Sequence, residues 1–147
     1  MIIYFGIGTN LGNREQNLST ALDLLDARVG NRIAVSSIYK SQAQGFESDN
    51  EFANIVAVFA TDYSQEQLLE ITQQIEREMG RTKKSVNGVY HDRVIDIDLL
   101  LAYEKGVCIY HQSPTLILPH PRMHERDFVM IPLREVEQDI DSIKKYL

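Results

Sequence analysis

The segment RVIDIDLLLAY, Arg93 to Tyr103, is the most apolar run of the chain, yet it carries two aspartates, Asp96 and Asp98. Strict alternation of Asp with Ile is the period of an extended strand, not of a helix. Successive strand side chains turn to opposite faces with a rise of about 3.3 Å per residue, so the two carboxylates share one face with Cα atoms roughly 7 Å apart. Held together away from water they repel each other and lose hydration, unless a cation or a proton compensates. A cation bound between them is one reading. The other is a strand with a wet face, which antiparallel sheets permit.

The remaining charge bears on that choice. The chain has 147 residues, enough for one ordinary domain spanning 1–147 with a core of its own. Lys and Arg total 15 against 21 Asp and Glu, a net charge of -6, which argues against a general nucleic-acid or anionic-membrane binder. Arg81, Lys83, Lys84 and Arg93 nevertheless crowd the stretch just before the aspartates. Oxygen ligands in small number suit Mg²⁺, which is bound through one or two carboxylates together with substrate phosphates. Nearby basic side chains would hold the phosphate oxygens that the metal leaves free. A loop of solvated charges is the plainer account of Lys83 and Lys84. The single cysteine, Cys108, lies among apolar neighbours and reads as packing in a reducing cytoplasm. MIIYFGIG lacks the basic start and cleavage site of an export signal, and no run reaches the length of a membrane span.

Along the chain, Ile2 to Gly8 reads as a strand, followed by a helix with Leu18, Ala21, Leu22, Leu25 and Val29 at helical spacing and Gly30 as its stop. RIAVSSIYKS and FANIVAVFA read as strands separated by a polar loop. Ser64 and Gln67 form a capping-box pattern ahead of Leu68, Ile71, Ile75 and Met79, with Gly80 as a stop signal. After the aspartate strand, EKG turns the chain toward VCIY, and residues 127–136 and 139–146 read as two short helices. The order β-α-β-β-α-β predicts an α+β, ferredoxin-like sandwich: an antiparallel sheet with the helices mainly on one face. The unpatterned stretch 82–92, containing Gly88, reads as a mobile lid over a phosphate site.

Other motifs narrow the chemistry. GIGTNLG places glycines at 6, 8 and 12, one residue too long for a dinucleotide fingerprint, and no P-loop is present. Asn10 and Asn13 suit a tight exit from the first strand. PHPRMHER supplies His120, Arg122, His124 and Arg126, which fit a second anion-binding set better than a zinc site. Phe46, Phe52 and Phe128 border polar stretches, as core residues or as platforms for a flat ligand. The residues alone thus support a Mg²⁺ and polyphosphate site without naming the acceptor.

Several stretches together resemble the 6-hydroxymethyl-7,8-dihydropterin pyrophosphokinases of folate biosynthesis: GIGTNLGNREQNL, SSIYKS, FANIVAVF, QQIEREMGR, RVIDIDLLL and LPHPRMHERDFVMIPL. The resemblance runs almost end to end, and it implies a ferredoxin-like fold and transfer of the terminal diphosphate of ATP to the pterin hydroxymethyl group, with AMP released. It implies that Asp96 and Asp98 hold two Mg²⁺ ions with ATP, and that Arg81 and Arg93 neutralise phosphate charge. Gln73, Lys83, Tyr90, Arg93, His120 and Arg126 match nucleotide contacts. Thr9, Ser41, Ala43, Gln44, Phe52, Asn54 and Phe128 match the pterin site, with Asn54 reading the ring edge and the two phenylalanines flanking the ring. A cytoplasmic protein, monomeric or weakly dimeric and without nucleic-acid or membrane partners, is the expectation. Where many members read W-G-P-R, this chain reads Tyr90-His91-Asp92-Arg93. A nucleotide-sensing module and a metal-dependent phosphohydrolase are the competing classes.

Overall fold

The structure is a computed structural model that describes residues 1–42, 51–80 and 94–143, with the short pairs 85–86 and 89–90. Its elements run β1 (Ile2–Thr9), α1 (Arg14–Arg28), β2 (Gly30–Val35), β3 (Tyr39–Ser41), β4 (Phe52–Thr61) and α2 (Gln65–Glu78). Then follow β5 (Ser85–Val86), β6 (Val89–Tyr90), β7 (Asp96–Glu104), β8 (Val107–Cys108), β9 (His111–Gln112), β10 (Ile117–Leu118), a 3-10 turn (Met123–Glu125) and α3 (Asp127–Ile143).

The main sheet has the order β2-β4-β1-β7-β8, with β3 also on β4, and every pairing is antiparallel. Strand alternation sorts the apolar residues of β1 into two layers. Ile3, Phe5 and Ile7 face Leu18 and Leu25 of α1 and Leu68 and Ile75 of α2. Tyr4 turns the other way and joins Val56, Val58, Leu100 and Leu101 against Val129, Leu133, Val136 and Ile140 of α3. Thus α1 and α2 share one face, and α3 covers part of the other, packing on β4, β2 and β3. Leu100 and Leu101 both reach the α3 layer because the β1–β7 register slips there: Phe5 faces Leu99 while Tyr4 faces Leu101.

Local signals explain the helix boundaries. Asn13 caps α1 by accepting from the Gln16 N–H at 3.1 Å. Ser64 and Gln67 exchange both bonds of the capping box ahead of α2. Gly30, expected as a helix stop, directly follows Val29, the cap of α1, and at the same time opens β2. The strand read over RIAVSSIYKS is two strands broken at Ser36–Ile38. At the break, Ser36 donates its N–H to the Val56 carbonyl and accepts the Val56 N–H on its hydroxyl, both at 2.9 Å. A side chain thereby replaces a carbonyl in the ladder, which keeps both halves on β4. The two short helices expected after residue 127 are one helix, α3, which continues through Pro132. Its buried residues Val129, Leu133, Val136 and Ile140 keep one stripe across that point, and their burial outweighs the hydrogen bond proline cannot make.

Gly30 is required by close approach. A Cβ there would lie 2.0 Å from the Ala60 carbonyl oxygen, a backbone atom that cannot swing aside. Gly30→Ala is therefore expected to push β2 from β4 and destabilise the fold by more than ~1 kcal/mol, read as a lower urea midpoint with unchanged slope. An unchanged midpoint would show that the edge yields freely.

Candidate active site

The sheet register brings the candidate residues together. Gly8 of β1 faces Asp96 on one side and Asn54 on the other, and Gly6 faces Asp98 and Val56. With strands about 4.8 Å apart, Asp96 and Asn54 stand roughly 10 Å from each other across a strip with no side chain on β1. A Cβ on Gly8 would come 3.0 Å from Asn54 Oδ1 and 3.6 Å from Phe52, so glycine keeps this floor open. Val56 joins the α3 core one rung further along, which places the cleft where the helix cover ends. Asp96 and Asp98 are both half-buried on this face.

Asn54 is 5% exposed, and its amide orientation is fixed by its neighbours. Nδ2 donates to the Tyr39 carbonyl at 3.0 Å and to Ser41 Oγ at 2.9 Å. A carbonyl only accepts, so the amide nitrogen must face β3 and the oxygen must face Gly8. The pair Asn54 and Ser41 thus presents an acceptor to the cleft.

His120 and Arg126 form the rim beside the aspartates. Among the described residues no strand pairs with the outer edge of β7 before Tyr103, and loops bond to that edge instead: the His120 N–H donates to the Leu100 carbonyl at 2.6 Å, and that of Ile109 to Ala102 at 2.8 Å. His120 Nδ1 accepts from the Arg122 N–H at 3.2 Å, leaving the neutral ring's proton on Nε2. Burial, then repulsion from Arg126, holds the His120 pKa below the ordinary histidine value, and attraction to Asp96 opposes them. Arg126 stacks over the Phe128 ring at 5.6 Å, while among the described residues its buried Nε has no hydrogen-bond partner. A cationic nitrogen left in that condition is suited to an anionic oxygen.

Of the expected anion set in PHPRMHER, only His120 and Arg126 turn inward. Arg122 and His124 are exposed, and Arg122 pairs with Glu125 at 3.6 Å. Thr9, expected to touch substrate, is fully buried on the α1 side, its hydroxyl accepting from Asn17 at 3.1 Å. Alternation along β1 explains the correction: Gly8 faces the cleft, so Thr9 cannot. Gln73 is half-buried on α2, lining a depression of about 500 Å³ with Arg28, Glu70, Ile71, Gln74 and Arg77. It is not brought to the aspartate face, because α2 packs on the opposite layer. Arg81, Lys83, Lys84, Arg93, Ala43, Gln44 and Phe46, the Tyr90 side chain and most of the expected lid lie outside the described residues. Sequence reasoning missed Glu76, a buried carboxylate on α2 that accepts the Ile97 N–H at 2.8 Å. Its place in the four-residue series Leu68, Thr72, Glu76 was the available signal: an acid in line with a buried stripe.

Among the described residues no group of three or more His, Cys, Asp or Glu could hold a metal ion. Two carboxylates on one face still fit Mg²⁺, which completes its octahedron with water and substrate oxygens. No helix among those residues is long and apolar enough to cross a membrane.

Comparison with known proteins bears on this arrangement. Residues 4–138 match the family described as 7,8-dihydro-6-hydroxymethylpterin-pyrophosphokinase (HPPK). The 2-amino-4-hydroxy-6-hydroxymethyldihydropteridine pyrophosphokinase of Porphyromonas gingivalis is 49% identical over 137 residues, covering 92% of this chain and 90% of that protein. The Bacillus subtilis protein of the same name is 38% identical over 142 residues, covering 96% and 81%. The folic acid synthesis protein FOL1 of Dictyostelium discoideum is 36% identical over 92% of this chain but only 19% of its own length. A crystal structure of HPPK-DHPS in complex with substrates superposes with a TM-score of 0.66 over 92% of this chain and 40% of that one, at 16% identity, a likeness of fold. Taken with the aspartate strand and its glycine floor, these matches show that the chain belongs to the 7,8-dihydro-6-hydroxymethylpterin-pyrophosphokinase family.

Proposed function

We propose that this protein transfers diphosphate from ATP to the hydroxymethyl group of 6-hydroxymethyl-7,8-dihydropterin in cytoplasmic folate biosynthesis. The substrate hydroxyl oxygen bonds to the β-phosphorus of ATP and gives up its proton to solvent, the bond from that phosphorus to the α-phosphate oxygen breaks, and AMP leaves. The observation that carries the reading is the shared face of Asp96 and Asp98 beside Gly6 and Gly8, with Asn54 on the far side of the same floor.

Each end of the cleft suits one substrate. Asn54 offers an acceptor, because Tyr39 and Ser41 already take its donors, so it selects a ring edge that presents N–H groups. Phe52 and Phe128 supply apolar surface for a flat ring. At the other end, Asp96 and Asp98 would hold the two Mg²⁺ ions that accompany ATP, and bound Mg²⁺ supplies neutralisation and alignment of the phosphates. Neutral His120 offers an Nε2–H, and Arg126 a fixed positive charge, to phosphate oxygens. Arg81 and Arg93, with Lys83 and Tyr90, would add charge and contacts from the segment before β7. Ala43 and Gln44 would line the pterin side through their backbone. This is catalysis by positioning and electrostatics, with no covalent intermediate on the protein.

The direct test is an assay for AMP with ATP and Mg²⁺, with and without the pterin. AMP that appears only with the pterin is expected. Diphosphate or phosphate released without it would point to a phosphohydrolase, and no turnover to a nucleotide sensor.

Three further outcomes are expected. Asp96→Ala or Asp98→Ala should retain the fold and lose at least ~10³-fold in turnover, the scale of a lost metal contribution of several kcal/mol. Near-normal turnover in either at ordinary Mg²⁺ would remove the metal assignment. Asn54→Ala should weaken pterin binding by about 1–3 kcal/mol in calorimetry while ATP binding barely changes. Equal losses for both ligands would make Asn54 a structural residue. Finally, the His120 imidazole should titrate below about 6.5 by NMR. With its folded value depressed, stability from the neutral ring is complete above the unfolded value and is lost as pH falls through the folded one. A midpoint above the ordinary value would show that Asp96 outweighs burial.

A further inference from the structure

Glu76 is the only charged side chain that is buried among the described residues, at 4% exposure. A buried carboxylate is costly unless strong contacts offset its lost hydration. Here the Oε2 atom accepts the N–H of Ile97 at 2.8 Å. Ile97 is the residue between Asp96 and Asp98, and its N–H lies on the outer edge of β7, where among the described residues no strand pairs before Tyr103. A neutral amide or hydroxyl would also satisfy that N–H, but a carboxylate makes a shorter, stronger bond. The bond ties the segment 96–98 to α2 from behind, while the two aspartates project to the opposite face of the sheet.

From this geometry we infer that Glu76 is a positioning residue, which fixes the β7 backbone so that Asp96 and Asp98 grip a divalent cation bound with a nucleoside triphosphate. The inference rests on the diphosphotransferase reading for its ligand, and it acts through a backbone bond, not through contact with substrate. Two carboxylates on a strand can hold one geometry only if the strand itself cannot shift, and β1 restrains just one edge of it.

The test compares wild type, Glu76→Gln and Glu76→Ala by Mn²⁺ binding in the presence of a non-hydrolysable ATP analogue, followed by electron paramagnetic resonance, together with AMP kinetics. Glu76→Ala should bind Mn²⁺ about tenfold more weakly or worse and lose kcat, with KM for the pterin unchanged. Glu76→Gln, whose amide oxygen still accepts, should stay within about threefold of wild type in Mn²⁺ affinity and keep the Ile97 amide protected from hydrogen exchange. Wild-type Mn²⁺ affinity in Glu76→Ala overturns the inference. If Glu76→Ala does not fold, Glu76→Gln decides: lost affinity with Ile97 still protected means that the charge acts directly, and positioning is wrong. A wild-type protein that binds Mn²⁺ with the analogue but forms no AMP overturns the diphosphotransferase reading alone, since the variant comparison is still readable.

Discussion

The antiparallel pairing of β1 with both β4 and β7 is the constraint on which the rest depends. Because β1 is central, Ile2 to Gly8 each have a partner on either side, and the register is set twice. A slip of one residue on either side would send Ile3, Phe5 and Ile7 to the wrong layer, so core burial holds the register in place. The same register puts Gly8 between Asp96 and Asn54 and Gly6 beside Asp98. The floor of the cleft is therefore a consequence of core packing: the alternation that sends Ile3, Phe5 and Ile7 to the α1–α2 layer turns Tyr4, Gly6 and Gly8 to the other face, where Tyr4 joins the α3 core and Gly8 lies between Asn54 and Asp96.

Two kinds of polar group meet over that floor, and their environments differ. Asp96 and Asp98 concentrate negative charge on one strand, which favours a cation. Arg126 carries a positive charge whose buried Nε has no partner among the described residues, and the His120 pKa is held down by burial and by that same arginine. A metal-bound polyphosphate complements both, since its cations answer the aspartates and its oxygens answer Arg126. Neither a bare cation nor a bare anion would satisfy the whole set.

The supporting layer uses side chains where backbone pairing stops. Glu76 closes the Ile97 N–H at the outer edge of β7, and Ser36 replaces a carbonyl between β2 and β3. Glu135 of α3 accepts from both the N–H and the hydroxyl of Ser37, fastening the helix to the break between those strands. Glu66, at the start of α2, accepts from Ser113 and Thr115 and meets His111, which holds the β9–β10 hairpin that leads to His120. These contacts lie on both sides of the site and limit how far its walls can move.

The sequence by itself determined strands over 2–8, 52–60 and the aspartate run 93–103, the capped second helix and the shared face of Asp96 and Asp98. All of these follow from periodicity and caps, which are local. It also singled out Asn54, Phe52, His120 and Arg126 as site residues through family resemblance. Tertiary structure decided what local pattern cannot express: that α3 continues through Pro132 because its stripe is buried, and that Gly30 serves strand packing. It also turned Thr9 away from the cleft and Arg122 and His124 out to solvent, while His120 and Arg126 face inward. Glu76 belongs to the same class, since a glutamate on a helix reads as solvated until the strand whose N–H it accepts is known. Hydrophobic period and capping are encoded within a few residues, whereas facing, depth and hydrogen-bond partner depend on which distant segment lies alongside.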